Sequence, residues 1–245
     1  MKISEIYNIL DEISPFELQD NWDNSGLLIG SMNDEFDKIY LSIDLDSTLL
    51  EKLENNSLIV LHHPLIFDGL KSLNPDKFPS NLIYKLIKKD IKVIAMHLNF
   101  DKTHMNKYLV SEVLGYKIKE CKEYECYFEV DEDFDTFALK IASKLNIPYI
   151  RVTKSKNFIK TAALCTGGAG SLFSSLEGVD CFLTGDIKYH TALQAKEENV
   201  SLIDINHYES EVIFSECLKG ELKSKGINAI IANSTNPFEY LKGNQ

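Results

Sequence analysis

Eight short apolar runs, separated by turns and helix-like stretches, constrain the fold of this chain more than any other feature. The runs occupy residues 26–30, 38–44, 57–61, 92–96, 161–165, 181–185, 201–205 and 228–233. Most are apolar at both odd and even positions, which indicates strands buried on both faces of a parallel sheet. The alternation of strands and helices therefore predicts an α/β fold with a mostly parallel sheet flanked by helices.

Residues 117–132 interrupt this pattern, because they are highly charged and include a strand that alternates between polar and apolar residues. A helical stretch at 134–145 follows them. We therefore predict a discontinuous metal-binding α/β domain formed by 1–116 and 179–245, with a smaller α+β domain inserted at 117–178. A chain of 245 residues is long enough for two domains with separate apolar cores.

The charge balance argues against a nucleic-acid-binding protein. The net charge is −11, the isoelectric point is about 5.0, and Arg151 is the single arginine, whereas phosphate contacts require a basic surface. The five cysteines form no CxxC pair, and no apolar run approaches the ~18 residues of a membrane span. The first residues resemble an amphipathic helix rather than a leader. These features predict a cytoplasmic protein with reduced thiols.

Four of the six histidines follow predicted strands directly or within two residues. They are His62, His63, His97 and His207. In an open parallel sheet, ligands bind at the edge formed by the carboxyl ends of the strands. We therefore expect these imidazoles to converge in one pocket at that edge.

The spacing of these residues predicts a site for two metal ions. His207 and Glu211 are four residues apart and share a face if a helix begins there, with Glu209 as the alternative carboxylate. His62 and His63 are adjacent and point to opposite sides of an extended chain, so each can serve a different ion. Ligands of nitrogen and oxygen suit two divalent ions of Zn, Fe, Mn, Co or Ni. The predicted metal ligands are His62, His63, Asp101, His207 and Glu211, with His97 at the edge of the site.

Five motifs occur in the order typical of one known family. They are Trp22-Asp23-Asn24-Ser25-Gly26-Leu27, Leu61-His62-His63-Pro64-Leu65, His97-Leu98-Asn99-Phe100-Asp101, Thr184-Gly185-Asp186 with His190, and His207-Tyr208-Glu209-Ser210-Glu211. On these motifs the chain resembles the NIF-three-like (YbgI-like) family, whose members are widely named GTP cyclohydrolase I type-two homologues. The sequence departs from the family pattern at Leu98 and Asn206, and neither is a predicted ligand.

The resemblance implies a two-domain α/β fold, a dinuclear metal centre and a ring-like homohexamer. It assigns metal ligation to the same five residues that the spacing selects. It also implies a GTP cyclohydrolase, in which a metal-bound hydroxide opens the imidazole ring of the purine and releases formate. We add His97 and His190 as candidate catalytic residues that carry protons.

The same metal ligands are also compatible with two other functions. A two-metal site also suits a hydrolase that acts on another substrate, such as a phosphoester. Alternatively, the chain is a non-catalytic, metal-binding regulator whose oligomeric state matters more than turnover. The expected partners are further copies of the chain and a small-molecule substrate such as GTP, and neither a membrane nor a nucleic acid is expected.

Three further features have both a structural and a functional interpretation. We interpret the glycine-rich turn at 165–171 as a tight turn rather than a phosphate-binding loop, because it lacks a GK[ST] ending. Asp186 is interpreted as a helix cap rather than a catalytic group. Trp22 is interpreted as a core or interface residue, and Asp23 as a group that lies behind a ligand.

Overall fold

The computed structural model describes residues 1–241, and the chain forms two compact units. The first unit combines Met1–His97 with the chain from Leu218 onward, and the second unit is Leu98–Cys217. This division corrects the predicted one, because the chain leaves the first unit after residue 97 and returns at 218. The inserted unit is also nearly as long as the first, rather than the much smaller domain of 117–178 that the sequence predicted.

The described residues contain strands, α-helices and short helices of other types. The strands are β1 (Gly26–Ile29), β2 (Ile39–Ser42), β3 (Leu58–Leu61), β4 (Lys92–Ala95), β5 (Ile118–Cys121), β6 (Cys126–Asp133), β7 (Arg151–Thr153), β8 (Phe158–Leu164), β9 (Cys181–Thr184), β10 (Ser201–Asp204) and β11 (Ile230–Ile231). The α-helices are α1 (Ile3–Ile13), α2 (Ser47–Lys52), α3 (Ser80–Lys88), α4 (Leu98–Phe100), α5 (Asn106–Tyr108), α6 (Phe134–Lys144), α7 (Tyr189–Glu197), α8 (His207–Glu211) and α9 (Phe214–Ser224). Short 3-10 helices cover Phe16–Leu18 and Gly170–Ser175, and π-helical segments cover Asp101–Met105 and Leu109–Leu114.

The sheet of the first unit has the strand order β1-β4-β3-β2-β11. Strands β4, β3, β2 and β11 are parallel, and β1 lies antiparallel to β4 at one edge. Every residue of β2, β3 and β4 is buried, which confirms the prediction from their apolar character at both alternations. Because β3 and β4 are parallel neighbours, the residues that follow them lie side by side.

The helices of the first unit follow from local sequence signals. Helix α1 buries Ile3, Ile6 and Leu10, which share one face at helical spacing. Helix α2 begins after Asp46, whose carboxylate accepts a hydrogen bond of 2.7 Å from the amide of Leu49. Across the described part of the chain, no helix combines the length and apolar character needed to cross a membrane.

The sheet of the second unit has the strand order β5-β6-β8-β9-β10-β7. Strands β8, β9 and β10 are parallel, and the other pairings are antiparallel. Strands β9 and β10 therefore hydrogen-bond within this sheet, and the predicted return to the first sheet at residue 179 is wrong. Both sheets bury their central strands on two faces, so apolar runs alone cannot assign a strand to one of them. The fold is two-domain α/β with two mixed sheets.

The two sheets also correct the expectation of one shared ligand-binding edge. His62, His63 and His97 follow β3 and β4 in the first sheet, whereas His207 follows β10 in the second. Each sheet therefore carries predicted ligands at the carboxyl ends of its own strands.

One pair of cysteines corrects the expectation that every thiol is reduced. Cys121 and Cys126 form a disulfide between β5 and β6. The antiparallel register makes these two residues direct partners, with their Cα atoms 4.0 Å apart. The thiols of Cys165, Cys181 and Cys217 are buried and take part in no disulfide bond of the described residues.

Candidate metal centre

Three imidazoles lie together in the first unit, where β3 and β4 end. His62 and His63 follow β3 and His97 follows β4, so the parallel register of the strands brings the rings together. The ring centroids are 4.9, 5.2 and 5.6 Å apart, and one ligand nitrogen of each ring lies within 4.8 Å of the others. We call these three residues the histidine triad.

Each ring of the histidine triad is held through Nδ1 by an oxygen atom. The three contacts are His62 to the carbonyl of Met96 at 3.0 Å, His63 to Oδ1 of Asp44 at 2.9 Å, and His97 to Oδ1 of Asp23 at 2.7 Å. A carbonyl or carboxylate oxygen accepts a hydrogen bond, so Nδ1 donates in each contact. The Nε2 lone pair is therefore the ligand that each neutral ring offers to a metal ion.

Asp23 is itself fixed by the loop that carries it. The hydroxyl of Ser25 donates to Oδ2 of Asp23 at 2.9 Å, and the amide of His97 donates to that hydroxyl at 3.0 Å. Burial acts to raise the pKa of Asp23, but the hydrogen bond and charge of His97, with the amide of Asn24 and the Ser25 hydroxyl, outweigh it and lower the pKa. Asp23 is therefore ionised at neutral pH and orients the His97 ring, so it lies near the site, where the sequence analysis placed it.

A second group of ligand side chains lies in the second unit. His207 and Glu211 are four residues apart on α8, and their Nε2 and Oε2 atoms are separated by 3.0 Å. Glu211 is buried, and one of its carboxylate oxygens lies within 4.8 Å of an oxygen of Asp101, which begins a π-helical segment. We call Asp101, His207 and Glu211 the mixed group. Its helical carboxylate is Glu211 rather than the alternative, Glu209.

Asp186 holds His207 in the same way as Asp44 holds His63 and Asp23 holds His97. Its Oδ2 lies 2.7 Å from Nδ1 of His207. Helix α7 begins after Lys188 without a side-chain cap, so the prediction that Asp186 caps this helix is wrong. Asp186 instead leaves Nε2 of His207, which faces Glu211, as the atom that could bind a metal ion.

The glycine-rich turn packs directly against the mixed group. Gly167 has φ +64°, and a Cβ atom there would lie 2.2 Å from Oε1 of Glu211. The amides of this turn are used within the unit, because Gly167 donates to Ser210 at 3.1 Å and Ala169 donates to Thr184 at 3.0 Å. The turn is therefore structural, as its sequence predicted, and these two amides are not directed at a phosphate. Its support of Glu211 was not predicted.

The chemistry of the donor atoms fits divalent metal ions. Four imidazoles present Nε2, and Asp101 and Glu211 present carboxylate oxygens. Cys165 lies near these carboxylates, and burial raises the pKa of its thiol well above the usual value, with a further contribution from their negative charges. A protonated thiol is a poor ligand, so the groups offer nitrogen and oxygen atoms without sulfur.

Two residues singled out in the sequence lie on exposed surfaces. His190 is in the first turn of α7, where its ring meets the edge of Tyr189 at 5.3 Å, and it belongs to neither ligand group. The Trp22 residue is 59% exposed, which excludes a place in the core of the chain. Its ring lies 5.9 Å from that of Phe67, which lies 6.1 Å from His97, so Trp22 is a neighbour of the histidine triad.

Asp44 is a residue of the site that the sequence analysis missed. It follows β2, the parallel neighbour of β3, and it reaches His63 across this pairing. The rule that found the histidines, a polar residue just beyond the carboxyl end of a buried strand, applies equally to Asp44. The predicted run at 38–44 includes Asp44, whereas β2 ends at Ser42, so the sequence placed this residue inside the strand rather than after it.

Relatives and solved structures resemble the chain over almost its whole length. A protein named GTP cyclohydrolase 1 type 2 homolog from Campylobacter jejuni is 45% identical and covers 98% of this chain and 100% of the relative. GTP cyclohydrolase 1 type 2 from Helicobacter pylori (strain J99) is 39% identical, and the match covers 98% of this chain and 99% of the relative. The crystal structure of the hypothetical protein SA1388 from Staphylococcus aureus matches with a TM-score of 0.84 and 33% identity. This match covers 98% of this chain and 99% of that one.

The fold is also shared with a protein of much lower sequence identity. The structure of protein ybgI, described as of unknown function, has a TM-score of 0.85 at 20% identity and covers 97% of this chain and 100% of that one. This identity is low enough that the match shows the fold alone. The sequence model of one family covers residues 1–237. The chain therefore belongs to the Duf34/NIF3 (NGG1p interacting factor 3) family.

Proposed function

We propose that this protein is a hydrolase that depends on two divalent metal ions. The residues that would hold them are His62, His63, Asp101, His207 and Glu211. One observation carries the proposal: Nδ1 of His62, His63, His97 and His207 each contacts a carbonyl or carboxylate oxygen, at 2.7–3.0 Å. Histidines that bind metals are typically held in this way, because the outer hydrogen bond fixes the ring and its tautomer.

The proposal combines ligands that belong to different units. That the histidine triad and the mixed group serve the same pair of ions rests on the sequence spacing and on the family resemblance. When bound, such ions supply a water molecule whose pKa is lowered to about 7 and so provide a nucleophile at neutral pH. His97, held by the ionised Asp23, would accept and return a proton at Nε2. His190 is the second candidate for proton transfer.

We propose GTP as the substrate, with opening of the imidazole ring of the purine and release of formate. The names of the relatives from Campylobacter jejuni and Helicobacter pylori support this choice. The donor groups themselves support hydrolysis in general. We further propose a homohexamer, as the family resemblance implies, and a location in the cytoplasm, as the cysteine pattern and the first residues of the sequence predict.

Product analysis of purified, metal-loaded protein tests the proposed reaction. Wild-type protein should release formate from GTP, and His63→Ala should release far less because a ligand is lost. Lys38→Met is a suitable control, since Lys38 forms an exposed ion pair with Glu54 and lies outside the ligand groups. If wild type and His63→Ala release the same amount of formate, or none, the assignment of GTP is wrong.

Phosphoester hydrolysis is the second candidate, because carboxylate and imidazole ligands for two ions suit the displacement of a phosphoryl oxygen equally well. A substrate panel scored for phosphate as well as formate separates the two reactions.

A non-catalytic role makes a different prediction, in which Glu211→Gln loses the oligomer. The enzymatic proposal predicts that this variant keeps the oligomer on size exclusion but loses metal and activity.

A further inference from the structure

The single arginine of the chain pairs with a buried carboxylate near the mixed group. Asp204 ends β10 and its side chain is 5% exposed, whereas Arg151 begins β7 and is its direct partner in the antiparallel register. Both Nε, at 3.0 Å, and Nη2 of Arg151 donate to Oδ2 of Asp204. A buried carboxylate requires such a partner, because removal of the partner leaves an uncompensated charge.

This ion pair also contacts the backbone on both sides of the His207–Asp186 contact. Oδ1 of Asp204 accepts a hydrogen bond from the amide of Asn206 at 3.1 Å, and Asn206 directly precedes His207. Nη2 of Arg151 donates to the carbonyl of Ile187 at 2.8 Å, and Ile187 directly follows Asp186. The amide of Ile187 lies 3.4 Å from Oδ2 of Asp204. The pair therefore binds the two loops that present the imidazole and its carboxylate.

The two loops have backbone conformations that need such support. Asp186 and Asn206 have φ of +52° and +56°, in the left-handed region that residues with a side chain rarely adopt. The loops also pack at backbone distance, because a Cβ atom on Gly185 would lie 2.7 Å from the amide nitrogen of His207. Conformations of this kind persist only where the surrounding contacts determine them.

We propose that the Arg151–Asp204 pair is a positioning device for the metal ligand His207. It fixes the separation of the two loops and so keeps Nδ1 of His207 in contact with Asp186 and Nε2 directed toward Glu211, where it would bind a metal ion. Because the ligand role of His207 is itself part of the proposed function, this inference rests on that proposal. Arg151 acts through Asp204 and the loops and does not itself touch a metal or a substrate.

The second unit contains a matched control for a general loss of stability. Nζ of Lys156 pairs with Oδ1 of Asp180, and Oδ2 of Asp180 accepts hydrogen bonds from the amides of Lys160 and Thr161 at 2.9 and 3.1 Å. This arrangement of a cation, a carboxylate and two amides resembles that of Arg151 and Asp204. It lies at the amino end of β9, away from the loops that follow the carboxyl ends.

The experiment compares Arg151→Met, Arg151→Lys and Lys156→Met in the full-length protein. Affinity for Co²⁺ is measured by competition with a chromophoric chelator, and the visible d–d spectrum reports the geometry of the bound ion. Arg151→Met should weaken binding by roughly tenfold, the lower end of the range for groups that orient metal ligands, and should alter the spectrum. Arg151→Lys should recover part of the loss, because lysine keeps the charge but lacks the planar fork. Lys156→Met should lower the melting temperature without changing either property.

A second measurement needs no metal. In metal-free wild-type protein, the Nδ1–H of His207 should give a protected ¹H–¹⁵N NMR signal, which Arg151→Met weakens and Lys156→Met preserves. The inference is overturned if Arg151→Met retains both the signal and the affinity, or if both Met variants lose them equally. If wild-type protein binds no Co²⁺ and yet the signal depends on Arg151, the proposed function fails and the positioning role stands.

Discussion

The histidine triad and the mixed group both present side chains that suit a metal ion, but they are built in different ways. Two parallel strands, β3 and β4, set the positions of the histidine triad, and His62 is completely buried. The mixed group depends on one short helix, a π-helical segment and two loops, and the His207 side chain is 39% exposed. Strand register is determined by many hydrogen bonds, whereas a loop depends on a few contacts. Substitutions away from the ligands should therefore disturb the mixed group more.

The largest expected effect comes from Gly167→Ala. The new Cβ atom would lie 2.2 Å from Oε1 of Glu211 at a backbone φ of +64°, so both overlap and strain oppose it. We expect the free energy of unfolding to fall by about 2–4 kcal/mol and metal binding by the mixed group to be lost.

Gly178→Ala is the matched control for Gly167→Ala, because Gly178 has φ +67° and nothing within 4 Å of a Cβ atom. Its cost should be about 1 kcal/mol, from backbone strain alone. Urea unfolding and metal analysis of both variants provide the comparison. Equal costs with unchanged metal content would contradict the role of Gly167 as a close neighbour of Glu211.

The next-largest expected effect is a loss of metal affinity. It tests whether the histidine triad also depends on the side chains that hydrogen-bond to its rings. Asp44→Ala removes the oxygen that holds Nδ1 of His63 at 2.9 Å, and metal affinity should fall by roughly 10–100-fold. Asp46→Ala, two residues away, removes the cap of α2 and should cost about 1 kcal/mol of stability with no change in affinity. Calorimetric titration with Zn²⁺ separates the two variants. If Asp44→Ala binds Zn²⁺ like the wild type, the histidine triad needs only strand register.

The sequence predicted members of both groups, but it missed contacts that support them. Residues of the histidine triad were found because buried strands and the histidines after them are local features. The support of the mixed group was missed for the opposite reason: contacts such as those of Asp186 with His207 and of Gly167 with Glu211 join residues far apart in sequence. Likewise, the assignment of β9 to the second sheet depends on pairing between strands that look alike as apolar runs.

A smaller effect, on the free energy of unfolding, is expected from Asp180, which precedes β9 in the sheet of the second unit. Burial acts to raise the pKa of Asp180, but the hydrogen bond from Lys156 and those from the amides of Lys160 and Thr161 outweigh it and lower the pKa. A lowered pKa in the folded state means that this stabilisation is present above the unfolded value of about 3.9 and is lost as the pH falls through the folded value.

Asp180→Asn should therefore lower the free energy of unfolding by about 1 kcal/mol at pH 7. The difference from wild type should disappear in acid, where the carboxyl group of Asp180 is neutral like the amide. Urea unfolding across this pH range is the measurement, and a difference independent of pH would refute the electrostatic origin. Metal affinity at pH 7 should remain unchanged, since the substitution leaves the loops of the mixed group in place.

The smallest expected effect on stability is that of Trp22→Phe. Because Trp22 is exposed, this substitution should change the free energy of unfolding by less than about 0.5 kcal/mol.

In the wild-type protein, Trp22 is the only tryptophan, so all indole emission comes from a position beside the histidine triad. Co²⁺ bound to the histidine triad should quench this emission, and His63→Ala should weaken the quenching. Asp186→Ala perturbs only the mixed group. A shift of the quenching midpoint in that variant shows that both groups hold the same ions, and an unchanged midpoint shows that the histidine triad binds metal independently.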